Sequence, residues 1–130
     1  MQRTFLVLAV SVAALASFMT PTVEAASKKT EPAQCFRPAR MVNWMSDDDR
    51  TLYVKLNTGA VFQVDLANDC PGLTTYRTMS FNPDFGEQIC NGRAGRVISR
   101  SGAGPLACEI KSVRALTKDE AKALPDKQRP

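Results

Sequence analysis

The chain contains no histidine in its 130 residues. That removes the commonest general base and metal ligand, and with it Ser-His-Asp and Cys-His nucleophilic mechanisms. Close cysteine pairs are also lacking. The four cysteines are Cys35, Cys70, Cys90 and Cys108, whereas zinc sites place paired ligands about two to four residues apart. No hydrophobic run is long enough to cross a bilayer. The longest, Phe5 to Ala16, falls short of the ~20 residues a helical span needs and is interrupted by Ser11. There is no internal repeat. Charge of one sign is scarce: 17 Lys and Arg against 13 Asp and Glu leave a net +4. This excess favours solubility and weak attraction to anionic surfaces. It is too small and too scattered to specify a nucleic-acid partner.

What is present begins with residues 1–25. Met1-Gln2-Arg3 gives a positive start, an apolar segment follows, and Val23-Glu24-Ala25 puts small side chains where a signal peptidase reads. This pattern predicts a secretory signal peptide over residues 1–25 and a mature chain from Ala26. A lipid anchor would need a cysteine at the cleavage point, but the first is Cys35, after Pro32-Ala33-Gln34. The expectation is a periplasmic or secreted protein with no membrane span after cleavage. Cleavage removes one charge of each sign, Arg3 and Glu24, so the net charge is unchanged.

An even number of cysteines in a short exported chain reads as two disulfides. Three pairings are open to Cys35, Cys70, Cys90 and Cys108. The preferred one is nested, Cys35–Cys108 and Cys70–Cys90. Cys108 is in phase with Leu106 and Ile110, so it points to the core. Cys70 and Cys90 each precede a turn sequence and could close a local loop. By the chain-entropy model each bridge contributes about 3–4.5 kcal/mol, a large share of a small domain's net stability.

Residues 26–34 are polar and read as a disordered lead-in. A single β domain is expected over 35–124, with a disordered tail over 125–130. Thr51 to Leu56 alternates, with Leu52, Val54 and Leu56 on one face and Thr51, Tyr53 and Lys55 on the other. Asn57-Thr58-Gly59 then turns the chain into Val61 to Leu66, where Phe62, Val64 and Leu66 share a face. Met41 to Met45 is a further strand, with Val42 and Trp44 on one face. Tyr76 to Phe81, Gln88 to Cys90, Arg96 to Ser101 and Leu106 to Val113 are the others. Thr117-Lys118-Asp119-Glu120 is a capping box that opens a short helix, stopped by Pro125. The fold class that follows is mainly β: a small antiparallel barrel or sandwich of about six strands, with one short C-terminal helix and two disulfides.

Few residues point to chemistry. Paired cysteines leave no thiol nucleophile, and no motif marks a Ser–Lys dyad. Asp47, Asp48 and Asp49 are contiguous, without the alternation and Gly of a calcium loop. They read as a solvated hairpin turn and not as paired acid and base. Arg93, Arg96 and Arg100 lie close together, Arg96 and Arg100 on one strand face. They form a candidate anion-binding patch, with Arg37 and Arg40 as further members. The plainer role of such a strand is solubility and edge protection. Trp44, Tyr53 and Phe62 could form an aromatic platform, but a lone Trp in a small domain is usually core. Tyr53, on a polar face, is expected to be exposed. No cofactor and no metal is expected.

The order of these features is specific. Cys35-Phe36 opens the domain and Trp44 follows. Then come Asp49-Arg50-Thr51-Leu52-Tyr53-Val54, Cys70-Pro71-Gly72-Leu73, Ile89-Cys90-Asn91-Gly92 and Cys108-Glu109-Ile110-Lys111-Ser112-Val113, closed by Leu116-Thr117-Lys118-Asp119-Glu120-Ala121. The chain resembles the exported bacterial family called domain of unknown function 6491, over roughly Cys35 to Leu124. The four-cysteine frame is the most specific part of that likeness. The resemblance implies a shared fold and an envelope location, and supplies no mechanism.

The functional expectation is a non-enzymatic binding or structural module of the bacterial periplasm. Its partner would be an envelope protein, a glycan or an anionic surface. The alternative is a periplasmic enzyme or a hydrolase inhibitor. Ser101-Gly102-Ala103-Gly104 resembles the small-residue loop of periplasmic lysozyme inhibitors, but a chain of +4 would be repelled by a basic lysozyme.

Overall fold

Alternating side chains make the central hairpin. In the computed structural model, which describes residues 34–92 and 95–130, Leu52 stands opposite Val64 and Val54 opposite Phe62. Leu52, Val54 and Val64 are fully buried, as their shared phase predicts. Gly59 takes φ 84° in the connecting turn, a conformation that disfavours any side chain. The signal peptide expected over 1–25, the lead-in as far as Ala33, and Arg93 lie outside the described residues.

In chain order the strands are β1 (Cys35–Phe36), β2 (Met41–Met45), β3 (Thr51–Leu56), β4 (Val61–Leu66), β5 (Met79–Pro83), β6 (Ile89–Cys90), β7 (Gly95–Ser101) and β8 (Gly104–Ala115). A 3₁₀ turn spans Pro38–Arg40, and the α-helices are α1 (Leu73–Tyr76) and α2 (Lys118–Ala123). Six strands form one sheet in the order β2-β3-β4-β8-β7-β5, and β1 pairs with β6 in a second. Every pair is antiparallel.

β8 explains the curl of this sheet. Its first half, Gly104 to Glu109, pairs with β7, and its second half, Ile110 to Ala115, pairs with β4. Asp65 opposes Ser112 while Leu66 opposes Ile110, so Lys111 is an extra residue at a bulge. Bulges bend strands and strengthen twist. The sheet curls around its core but stays open, with β2 and β5 as edges.

α1 is absent from the sequence reading, which assigns nothing to residues 73–75 and starts at Tyr76 a strand that begins only at Met79. The helix lies against β7 because Gly72 has no Cβ. A Cβ there would collide with the Arg100 carbonyl oxygen, and Gly72 also sits at φ 97°. Asp49 Oδ1 holds the helix, accepting from the Thr74 amide at 3.2 Å and hydroxyl at 3.0 Å. Asp48 does the expected turn work, accepting from the Arg50 and Thr51 amides. The Asp run is therefore a turn plus a tether, not a purely solvated loop.

Both disulfides form, but not in the preferred pairing. The bridges are Cys35–Cys90 and Cys70–Cys108, correcting Cys35–Cys108 and Cys70–Cys90. Cys35 and Cys90 are direct partners across β1 and β6, so short strands that carried little sequence signal decide this bridge. Cys108 does face the core, but Cys70 meets it there. The chain after β4 is pinned beside β8 by the Ala67 amide on the Glu109 carbonyl, 2.9 Å. Cys70 itself is fully buried.

Three local expectations are also corrected. Met41 opposes Leu56 and Asn43 opposes Lys55, so a bulge at Val42 breaks the alternation. Val42 is thrown out to 60% exposure while Met41 and Trp44 pack on the core. Tyr53, expected to be exposed, is buried at 8%. It is on the outer face, opposite Gln63, but the chain after β8 returns to that face. Residues 125–130, expected to fray, are bonded: Gln128 donates to Asp47 Oδ2 at 2.8 Å. Arg129 donates to the Lys122 and Leu124 carbonyls at the C-terminal end of α2. The capping box of α2 forms as read, with both Thr117 and Glu120 in their roles.

Candidate functional site

The described arginines among those singled out by sequence fall into two groups, Arg96 with Arg100 and Arg37 with Arg40. Arg96 and Arg100 do share the outward face of β7, whose alternate residues Gly95, Val97 and Ser99 are buried. Arg96 is ion-paired with Asp84 at 3.2 Å and stands opposite Glu109, so its charge is largely met. Arg100 stands opposite Pro105 near the β7–β8 turn. Arg37 precedes the 3₁₀ turn before β2 and Arg40 ends it, with β3, β4 and β8 between that strand and β7 in the sheet.

The aromatic residues are likewise divided. Phe62 is buried and meets Phe36 at 5.3 Å, and Phe36 meets Phe81 edge-on at 5.2 Å. This cluster is core, held by one tilted and one edge-to-face contact. Trp44 packs on the core side and lines a small cleft of about 210 Å³ with Asn43, Leu73 and Arg77. Tyr53 is on the opposite face. No common platform results.

That outer face carries a hydrogen-bonded polar row. Gln63 donates to Asp65 at 2.9 Å, and Ser112 donates to the other Asp65 oxygen at 2.8 Å. Arg114 donates to Gln63 at 3.1 Å and to Glu120 at 2.7 Å. The Thr117 amide and the Arg114 guanidinium hold the Glu120 carboxyl below the usual carboxylate range. Burial, then the nearby Asp47, Asp65 and Asp48 carboxylates, push the Tyr53 phenol above the ordinary tyrosine value, with Arg114 opposing. The row ties α2 to the sheet.

Docking α2 in this way creates a feature the sequence reading missed. Between α2, the tail and the β3–β4 hairpin lies a cleft of about 430 Å³. Lys55, Lys118, Lys122 and Arg129 line it, with Val61 and Ala121 among its apolar residues. Lys118 and Lys122 are one helical turn apart, and Lys55 was placed on the polar face of its strand. Those signals were legible. Their convergence was not, because it depends on how α2 docks and on a tail taken to be frayed.

Among the described residues, no group of three or more Cys, Asp or Glu side chains could hold a metal ion. No helix among them is long and apolar enough to cross a membrane, and no cysteine is free. These features define a small, mainly β domain braced by two disulfides. The chain belongs to the Family of unknown function (DUF6491), which it matches over residues 1–130. No curated protein and no solved structure matches it.

Proposed function

We propose that this protein is an exported, non-enzymatic binding module of the bacterial periplasm. The observation that carries this reading is the pairing of all four cysteines across a core too small to be very stable alone. Such bridges persist in oxidising compartments, and the leader-like pattern of residues 1–25 fits the same destination. A paired sulfur is no nucleophile, and the chain has no histidine to act as base. Binding is favoured over chemistry by the basic cleft, which offers charge and apolar surface with no acid–base pair beside its lysines.

Expression of the full chain in a bacterium, followed by fractionation and intact mass measurement, tests the location. The expected result is a periplasmic species beginning at Ala26 with no free thiol. Titration of the immobilised mature domain with envelope extract tests the binding role. A saturable component displaced by free domain is expected. A cytosolic, fully reduced precursor, or the lack of any saturable component, would contradict the reading.

A further inference from the structure

We infer that the cleft between α2 and the β3–β4 hairpin is a binding site for a phosphate-bearing ligand with a short apolar portion. This deepens the binding-module reading and rests on it. Among the described residues, the side chains of Lys55, Lys118 and Lys122 make no ion pair and no hydrogen bond. Arg129, the fourth cation of the lining, is already paired with Asp126 at 3.2 Å and with backbone carbonyls. Three lysines without a partner therefore line one cleft of about 430 Å³, a volume in the ordinary range for small-ligand sites.

The placement works against stability. Lys118 is the first residue of α2, at the end where the helix dipole repels a cation. Lys118 and Lys122 are like charges four apart on one helix, which repel each other, and Lys55 adds a third from the facing strand. Nearby, Arg114 is matched by Glu120 at 2.7 Å. Local rules broken in one place and obeyed around it are the mark of a site shaped by function.

The side-chain types set the ligand class. Ammonium groups act as strongly hydrated point charges that bind phosphate oxygens, without the planar fork that arginine brings to carboxylate and phosphate alike. Val61, Ala121 and the aliphatic stems of the lysines supply an apolar wall. An alkyl or acyl phosphate matches both parts. A free organophosphate and a phospholipid headgroup share this chemistry.

Calorimetry on the mature, disulfide-bonded domain at low ionic strength tests the site, with hexyl phosphate and inorganic phosphate as probes. The expected result is 1:1 binding of hexyl phosphate, at least ~5-fold tighter than inorganic phosphate because of the apolar wall. The triple variant Lys55→Gln, Lys118→Gln, Lys122→Gln should lose at least ~10-fold in affinity, and the single Lys55→Gln and Lys122→Gln variants ~2–4-fold each. Arg96→Gln with Arg100→Gln should bind as the unmodified domain does. Lysine-dependent sedimentation with phosphatidylglycerol vesicles assigns the lipid source; binding of hexyl phosphate without vesicle binding assigns a free organophosphate. If neither probe binds, or if the lysine variants bind unchanged, the site is refuted. An envelope component retained equally by the triple variant refutes the cleft and leaves the binding-module reading standing.

Discussion

Thr74 gives both its amide and its hydroxyl to one oxygen of Asp49, at 3.2 and 3.0 Å, across 25 residues of sequence. This pair fastens α1 to the β2–β3 turn, and the same turn's Asp49 carbonyl accepts from the Cys70 amide at 2.6 Å. Hydrogen bonds to a charged group contribute about 1.5–3 kcal/mol when partly buried. Asp49→Ala should therefore destabilise the domain by about that amount, read as a lower denaturant midpoint. Asp48→Ala, which removes only turn bonds on the exposed side, should cost less.

Two glycines separate backbone strain from collision. Gly59 is at φ 84° with open space around it, so Gly59→Ala should cost about 1–2 kcal/mol from the left-handed conformation alone. Gly72 adds a clash with the Arg100 carbonyl oxygen. Gly72→Ala should be clearly worse and should lift α1 from β7. Thermal unfolding of both variants, with amide exchange at Leu73 to Tyr76, checks this.

The two disulfides close loops of similar length, with sequence separations of 55 and 38. Chain entropy assigns them nearly equal contributions, about 4 kcal/mol each. Burial breaks the tie. Cys70 is fully buried and lies 3.3 Å from the Ser99 hydroxyl, while Cys90 sits at a half-buried strand end. The Cys70→Ala, Cys108→Ala variant leaves a void and should be less stable than Cys35→Ala, Cys90→Ala, by denaturant titration.

The outer face responds to pH at both extremes. The Glu120 carboxyl is held below its ordinary range, so its contribution is present above the unfolded value and is lost as pH falls through the folded one. Acid should release α2 before the core, seen as early loss of amide protection in residues 118–123. Glu120→Gln should remove that acid-sensitive step. The Tyr53 phenol is raised, so its contribution is intact below the ordinary tyrosine value and is lost as pH rises through the higher folded one. Phenolate absorbance of Tyr53 should appear together with loss of stability in strong alkali, and Tyr53→Phe should abolish that coupling.

Much of the sheet could be read from periodicity, because Leu52, Val54, Val64 and Val97 obey the period of two that burial imposes. The places where reading failed are those where long-range contacts override local pattern. Val42 leaves the core face because of a bulge. Tyr53 is buried on a face to which the chain returns more than 60 residues later, where Glu120 accepts from Arg114 and Gln128 donates to Asp47. α1 has only four residues and no capping side chain, too little to stand out from a turn. The basic cleft joins Lys55 to Lys118 and Lys122, and no local spacing announces such a meeting.

Peptide mapping without reduction is the most direct test of how the domain is braced. Lys or Arg separates each cysteine from the next in sequence, so trypsin yields distinct linked pairs. The expected fragments join Cys35 to Cys90 and Cys70 to Cys108. Fragments joining Cys35 to Cys108 would contradict the fold, and any of the four sulfurs recovered as a free thiol would contradict the proposed destination as well.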